Sequence, residues 1–283
     1  MTGAIGLPYP FELAFMQRAL AAGIVVGVFA PLIGTFLVQK RMALIGDGIG
    51  HLAFAGVGAG VVAGVYPVWS ALGFAVAGAL GVEWLRARRR ASGDLALALF
   101  FYSGIALGVV LLSRGGGLDA SVVGFLFGQP LTVDPGELGL IAALGVGIGV
   151  AVLTLRRVLF AVVTDEEWSR VAGLPVGALN NLLAILTAAA VVAAMQVVGI
   201  LLIAALMVLP VATGQLLGRS FGGTLRWAVV LGVGSVVGGL AASRLWGLAP
   251  GGAVVLIAAG AFLLVALAKR SLPGSVRLEV TEP

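Results

Sequence analysis

Apolar runs of about twenty residues recur through the whole chain, and a run of that length is what a helix needs to cross the hydrocarbon core of a bilayer. They fall at 14–38, 42–66, 68–85, 94–113, 138–155, 179–195, 227–242 and 252–268, with a shorter one at 197–209. No water reaches backbone N–H and C=O groups inside a bilayer, so such runs must be helical. Only 10% of the 283 residues are charged and 60% are hydrophobic, against about 25% charged in soluble domains. The expected fold is all-α: a polytopic transmembrane helical bundle of about nine spans, one domain over residues 1–283, with no separate soluble part.

Some stretches do not fit a plain crossing. Residues 119–130 are mostly apolar but too few to span, and read as a re-entrant or interfacial segment. Residues 164–174, the most polar internal stretch, read as a short cytoplasmic surface helix ended by Gly173 and Pro175. The run 197–209 stops at Pro210, which makes it a short, tilted or buried span, and 211–224, with Gln215, Arg219 and Ser220, reads as a polar break. Ser92 or Asp94 is the expected N-cap of the fourth span. Gly23 and Gly27 in the first span, and Gly56 and Gly60 in the second, have the spacing that lets helix backbones approach closely.

The cations orient the bundle. With the N-terminus outside, every one of the 17 lysines and arginines except Arg18, Arg114 and Arg244 falls on the cytoplasmic side, as the positive-inside rule requires. That arrangement depends on 179–195 and 197–209 being two separate passes, and it leaves the tail 271–283 in the cytoplasm. The net charge of +5 lies in these short clusters and not on a basic face interleaved with aromatics, so no nucleic-acid partner is indicated. There is no cysteine, which excludes disulfides and thiolate metal sites.

Within this apolar setting Asp47 and the single histidine, His51, stand four residues apart at the start of the second span. On a helix both project from one face, about 6 Å apart along the axis. Carboxylate and imidazole are ordinary ligands for zinc and manganese, and ionisable groups inside a span mark a polar pathway. The alternative is a buried Asp47–His51 hydrogen bond that fixes the helix. Two ligands do not complete a metal shell, so water, backbone carbonyls or a second subunit must contribute. Met195, Gln196 and Met207 could assist, although methionine on an apolar helix is usually packing. Glu137 is expected to cap a helix, and Glu83 to pair locally with Arg86.

The motif Arg41-Met42 followed by Asp47 and His51 resembles the membrane permeases of ABC importers for divalent metals, the zinc, manganese and iron uptake group. The resemblance covers nearly the whole chain: residues 94–108, Phe125-Leu-Phe-Gly128, the long apolar signature 198–213 and Ala249-Pro-Gly-Gly252 are each similar to a motif of that family. Val211 and Gly214-Gln215 depart from its usual pattern. The resemblance implies a type II ABC importer-like bundle in a bacterial inner or plasma membrane, working as a homodimer. It implies a transported zinc or manganese ion, with iron a third choice, passing near Asp47 and His51, and no covalently bound cofactor. An extracytoplasmic metal-binding protein would deliver the ion.

The resemblance also requires an ATPase, and no P-loop is present: the only lysines, Lys40 and Lys269, follow Gln39 and Ala268 and not a glycine-rich turn. A separate cytoplasmic ATP-binding subunit is implied, docking on a coupling segment at 211–221 through Gln215 and Arg219. The chain itself is then no enzyme. The rival reading is a proton-coupled secondary metal transporter with the Asp–His pair as relay. An intramembrane enzyme is disfavoured by one histidine, no cysteine and no paired carboxylates in the spans.

Overall fold

A computed structural model of the chain describes residues 8–88, 93–117 and 120–270. Among them stand eleven α-helices: α1 (Ala14–Gln39), α2 (Ile45–Ala63), α3 (Pro67–Ala87), α4 (Gly93–Arg114), α5 (Ala120–Phe127), α6 (Pro135–Thr164), α7 (Glu166–Val171), α8 (Val176–Met195), α9 (Ile203–Leu217), α10 (Phe221–Trp246) and α11 (Pro250–Arg270). Eight are long and apolar enough to span a membrane, and α9 is a shorter apolar helix of 15 residues. The all-α transmembrane bundle is as expected. Arg89, Arg90, Ser92, the Asp94 side chain, Asp119 and the tail 271–283 lie outside the described residues.

The structure separates α8 from α9. Lys40, just past the end of α1, donates to Asn180 in the first turns of α8 at 2.9 Å. Gln39 and Gln215 line one small cavity of about 200 Å³, so the end of α9 returns to the same arginine-rich end. The two helices are an out-and-back pair joined by residues 196–202.

Pro210 does not stop the seventh span. It sits inside α9, which runs on to Leu217, so 211–217 is helix and the polar break is only the turn 218–220. A proline in a buried membrane helix removes one N–H, and its neighbours absorb the defect; Pro31 inside α1 is tolerated likewise. Helix α9 ends at Gly218, and Ser220 caps α10 by accepting from the Gly223 amide at 3.1 Å. Helices α6 and α10 also overrun their expected limits, α6 continuing past Arg156 and Arg157 to Thr164. Short helices, α5 and α7, stand in the two stretches expected to be a re-entrant or interfacial segment and a surface helix.

The helices form two groups. Helix α2 is sandwiched between α3 and α4, while α1 is the centre of a second group with α6, α8, α9 and α10. Consecutive helices α1 and α2 hardly touch; α8 bridges the groups by packing on α3 and α1. The glycines act as the spacing foretold. A Cβ on Gly27 would lie 3.0 Å from Val233 Cα in α10, so only bare backbone permits that crossing.

Polar networks tie the two groups together at both ends. At the arginine-rich end Lys40 meets Glu83 of α3 at 3.4 Å and Glu166 of α7 at 3.7 Å. Arg86 holds Glu83 at 3.1 Å and also pairs with Glu166. Burial lowers the Lys40 ammonium pKa, with the Arg86 charge adding to this and the two carboxylates opposing it. Burial raises the Glu166 carboxyl, but the Arg86 hydrogen bond and charge, then Lys40 and Asn180, outweigh this and hold it below the ordinary value.

At the opposite end, the Tyr66 hydroxyl donates to Glu137 Oε1 at 2.9 Å, and Gln196 Nε2 donates to the same oxygen at 3.0 Å. Glu137 also closes a capping box with Asp134 at the start of α6. Beside it the chain after α5 pairs with the α8–α9 connection: Ile200 and Leu201 amides donate to the Phe125 and Leu126 carbonyls, and the Gln129 amide to the Gln196 carbonyl. Gly128 and Gly199, at φ 77° and 92°, stand backbone to backbone there. These bonds satisfy backbone that no helix covers.

Candidate functional site

The first turn of α2 carries Asp47, where a carboxylate sits favourably at the positive end of the helix. His51 follows one turn on. Both are half-buried, on the side of α2 that faces α4. Gly104 of α4 makes that approach close: a Cβ there would lie 2.8 Å from the His51 carbonyl carbon. The Phe101 ring consequently reaches His51, edge to face with centroids 4.3 Å apart, and Tyr102 stands 5.2 Å from Phe101.

Asp47 lines an open cavity of about 250 Å³ with Leu44, Leu97, Phe101 and Tyr102. Leu44 and Tyr102 are 68% and 69% exposed, so the cavity opens on the outer surface of the chain and not towards α1. Among the described residues neither Asp47 nor His51 makes a side-chain hydrogen bond or ion pair, and the bond between them that would fix the helix is not made. No cluster of three or more histidine, aspartate or glutamate side chains occurs among the described residues. What the chain offers here is one carboxylate and one imidazole, unspent, among apolar and aromatic side chains where the cavity between α2 and α4 opens outwards.

The sequence pattern of the ABC 3 transport family matches residues 12–269. The chain belongs to that family. Among its relatives is the manganese transport system membrane protein MntC of Halalkalibacterium halodurans, 32% identical over 253 residues, 89% of this chain and 86% of the relative. Another is the high-affinity zinc uptake system membrane protein ZnuB of Haemophilus influenzae, 30% identical over 257 residues, 90% and 97% of the two chains. A solved structure, PsaBC from Streptococcus pneumoniae in complex with Fab, superposes with a TM-score of 0.80 at 28% identity over 90% of this chain and 91% of that one.

Other residues singled out in the sequence of this ABC 3 family member fall into place around the pair. Met195 and Met207 are fully buried and pack. Gln196 is held by Glu137, and Glu137 caps α6 as expected. Gln215 and Arg219 are exposed, the first in the last turns of α9 and the second in the turn before α10. They lie at the arginine-rich end. The Glu83–Arg86 pair was legible from its spacing. Its extension to Lys40, Glu166 and Asn180 was not, because Lys40 is 43 positions from Glu83 and 140 from Asn180, and Arg86 is 80 from Glu166. The one available signal was a lysine and a glutamate at the ends of apolar runs, where each needs a partner or water.

Proposed function

We propose that the chain is the membrane-spanning subunit of an ATP-driven importer of divalent transition-metal ions, manganese or zinc, and that two copies form the path. The observation that supports this is the unspent Asp47–His51 pair, on the face of α2 whose cavity with α4 opens outwards. Lipid against that face would leave a carboxylate and an imidazole unsatisfied at a cost of several kcal/mol. A second copy placed there would bring two carboxylates and two imidazoles together, enough for a tetrahedral zinc ion or, with water, for a manganese shell. An ion held between two moving copies can also be released, as transport demands. The relatives' names include both metals, and this nitrogen and oxygen donor set suits both.

ATP hydrolysis belongs to a separate subunit in this reading, and an extracytoplasmic metal-binding protein delivers the ion. In this reading the membrane is a bacterial cell membrane, and the charge asymmetry supports the arginine-rich end in the cytoplasm, the N-terminus outside and the C-terminus inside. The ATP-binding subunit then meets the Gln215–Arg219 segment, and beside it α7, whose Trp168 and Val171 are 61% and 89% exposed outside the spans.

The experiment is uptake of manganese, zinc and iron radioisotopes into proteoliposomes containing the chain with its ATP-binding subunit and binding protein, ATP being supplied to the ATPase side. Uptake should need ATP and be abolished by Asp47→Ala and by His51→Ala, while the ATPase still binds. Undiminished uptake in both variants would remove the pair from the path. Metal movement by the chain alone down a proton gradient would replace the ABC reading with a secondary transporter.

A further inference from the structure

Phe100, Phe101 and Tyr102 are consecutive on α4, so at about 100° per residue they leave the helix in three directions. The Phe100 ring occupies the space over Gly81 of α3. Tyr102 is largely exposed. Phe101 is the one of the three in ring contact with His51, their centroids 4.3 Å apart and their planes crossing at 73°.

Main chain imposes that register. Gly104 and Gly108 follow on α4 with the spacing that lets helix backbones approach closely. A Cβ at Gly104 would lie 2.8 Å from the His51 carbonyl carbon, and one at Gly108 would overlap the Phe54 ring of α2. With α4 seated on α2 at both glycines, Phe101 is set opposite His51 whatever its own ring contributes. Tyr102 then stands against Phe101 from the outer side, centroids 5.2 Å apart at 82°.

The second observation concerns how His51 is held. An imidazole that binds a metal commonly has its other ring nitrogen fixed by a carboxylate or a carbonyl, which orients the ring. Among the described residues the His51 side chain makes no hydrogen bond or ion pair, and Phe101 supplies its ring contact. Orientation here is therefore a matter of packing.

That orientation bears on which ion is taken. Carboxylate and water oxygens suit calcium, magnesium and manganese, whereas imidazole nitrogen favours zinc. Asp47 is the one acid lining the cavity, so selectivity against oxygen-seeking ions rests on His51 presenting its nitrogen.

On the reading of Asp47 and His51 as ligands of the transported ion, we propose that Phe101 is the positioning residue for His51. Its ring holds the imidazole in the ligating orientation and so sets the preference for ions that take nitrogen, zinc first, over those that take oxygen alone, such as calcium. Phe101 acts through His51, and its effect scales with how much each ion needs the imidazole.

The test is equilibrium binding of zinc, manganese and calcium to the chain reconstituted in nanodiscs with its ATP-binding subunit, a fluorescent chelator reporting the free ion. The variants are Phe101→Ala, Phe101→Leu, Phe101→Tyr, His51→Ala, and His51→Ala with Phe101→Ala. Phe101 is only half-buried, and Phe101→Leu keeps apolar volume while removing the ring; melting of each variant checks the fold.

Phe101→Ala and Phe101→Leu should each weaken zinc binding about 10-fold, the low end for a group that orients a metal-bound imidazole. Manganese should lose less and calcium nothing, and Phe101→Tyr should bind as the wild type does. In the His51→Ala background, Phe101→Ala should have no further effect, the non-additivity of two residues acting as one. An equal loss for all three ions, or the same loss with and without His51, would make Phe101 a structural wall and overturn the proposal. Wild-type zinc affinity in Phe101→Ala and Phe101→Leu, with His51→Ala weakened, would overturn it while leaving the metal-site reading standing. Undiminished zinc binding in His51→Ala would overturn both.

Discussion

Lys40 and Glu83 meet at 3.4 Å with side chains only 5% and 7% exposed, joining the end of α1 to the end of α3. The pair spans the seam between the α2–α4 group, which carries Asp47 and His51, and the group centred on α1. Because α1 and α2 hardly touch, this contact and the Arg86–Glu166 pair are the polar ties between the two groups at that end.

Replacing Lys40 by methionine should therefore destabilise the chain markedly. Removing one partner of a buried pair commonly costs about 3–5 kcal/mol because the other charge is stranded. Here Arg86 still holds Glu83, so the low end of that range is expected. Adding Glu83→Gln to Lys40→Met should recover part of the loss, and a double-mutant cycle of melting in detergent micelles measures the coupling. Additive losses would show that Arg86, and not Lys40, satisfies Glu83.

At the other end the same seam is closed by a tyrosine. Burial, then the hydrogen bond to Glu137 and its charge, push the Tyr66 hydroxyl up to about 12, with Gln196 opposing. A hydroxyl whose folded value is raised contributes stability that is fully present below its unfolded value of 10.0 and lost as pH rises through about 12. Tyrosinate absorbance should show one of the 3 tyrosines titrating late. Tyr66→Phe should delete that step, and Glu137→Gln should move it down. A late step that persists in Tyr66→Phe would overturn the assignment.

The bundle was readable from the sequence because membrane helices announce themselves by length and apolarity, and because Asp47 and His51 are conspicuous against that background. Helix ends inside the membrane were harder to read. Pro210 carried the usual signal for a stop, yet burial between α1, α2 and α10 keeps α9 helical to Gly218, where the chain turns extended. Helix α1 ends at Gln39, one residue past the apolar run 14–38, for a reason the run does not carry. Arg41 adopts φ 58°, and the Met42 amide closes back on the Leu37 carbonyl at 2.9 Å, a left-handed cap usually built with glycine. Long-range polar partners such as Lys40 with Asn180, or Tyr66 with Glu137, leave no local pattern, since each side chain alone looks like an ordinary span-end residue.

The two elements assigned to the ATP-binding subunit make different demands. Arg219 is an exposed cation on a turn, and a rim charge mainly alters association rate and salt dependence. Trp168 and Val171 present apolar surface on α7, outside the spans, and apolar anchors of that kind dominate affinity when a partner covers them. Trp168→Ala with Val171→Ala should weaken binding of the ATP-binding subunit by about 2 kcal/mol, roughly 30-fold. Arg219→Glu should slow association and steepen its salt dependence with a smaller change in dissociation rate. Surface-immobilised binding kinetics at two salt concentrations separate the cases. If Arg219→Glu abolishes binding and the α7 variant leaves it intact, the turn before α10 is the dock and α7 is a surface helix that packs its other side on α6 and α8.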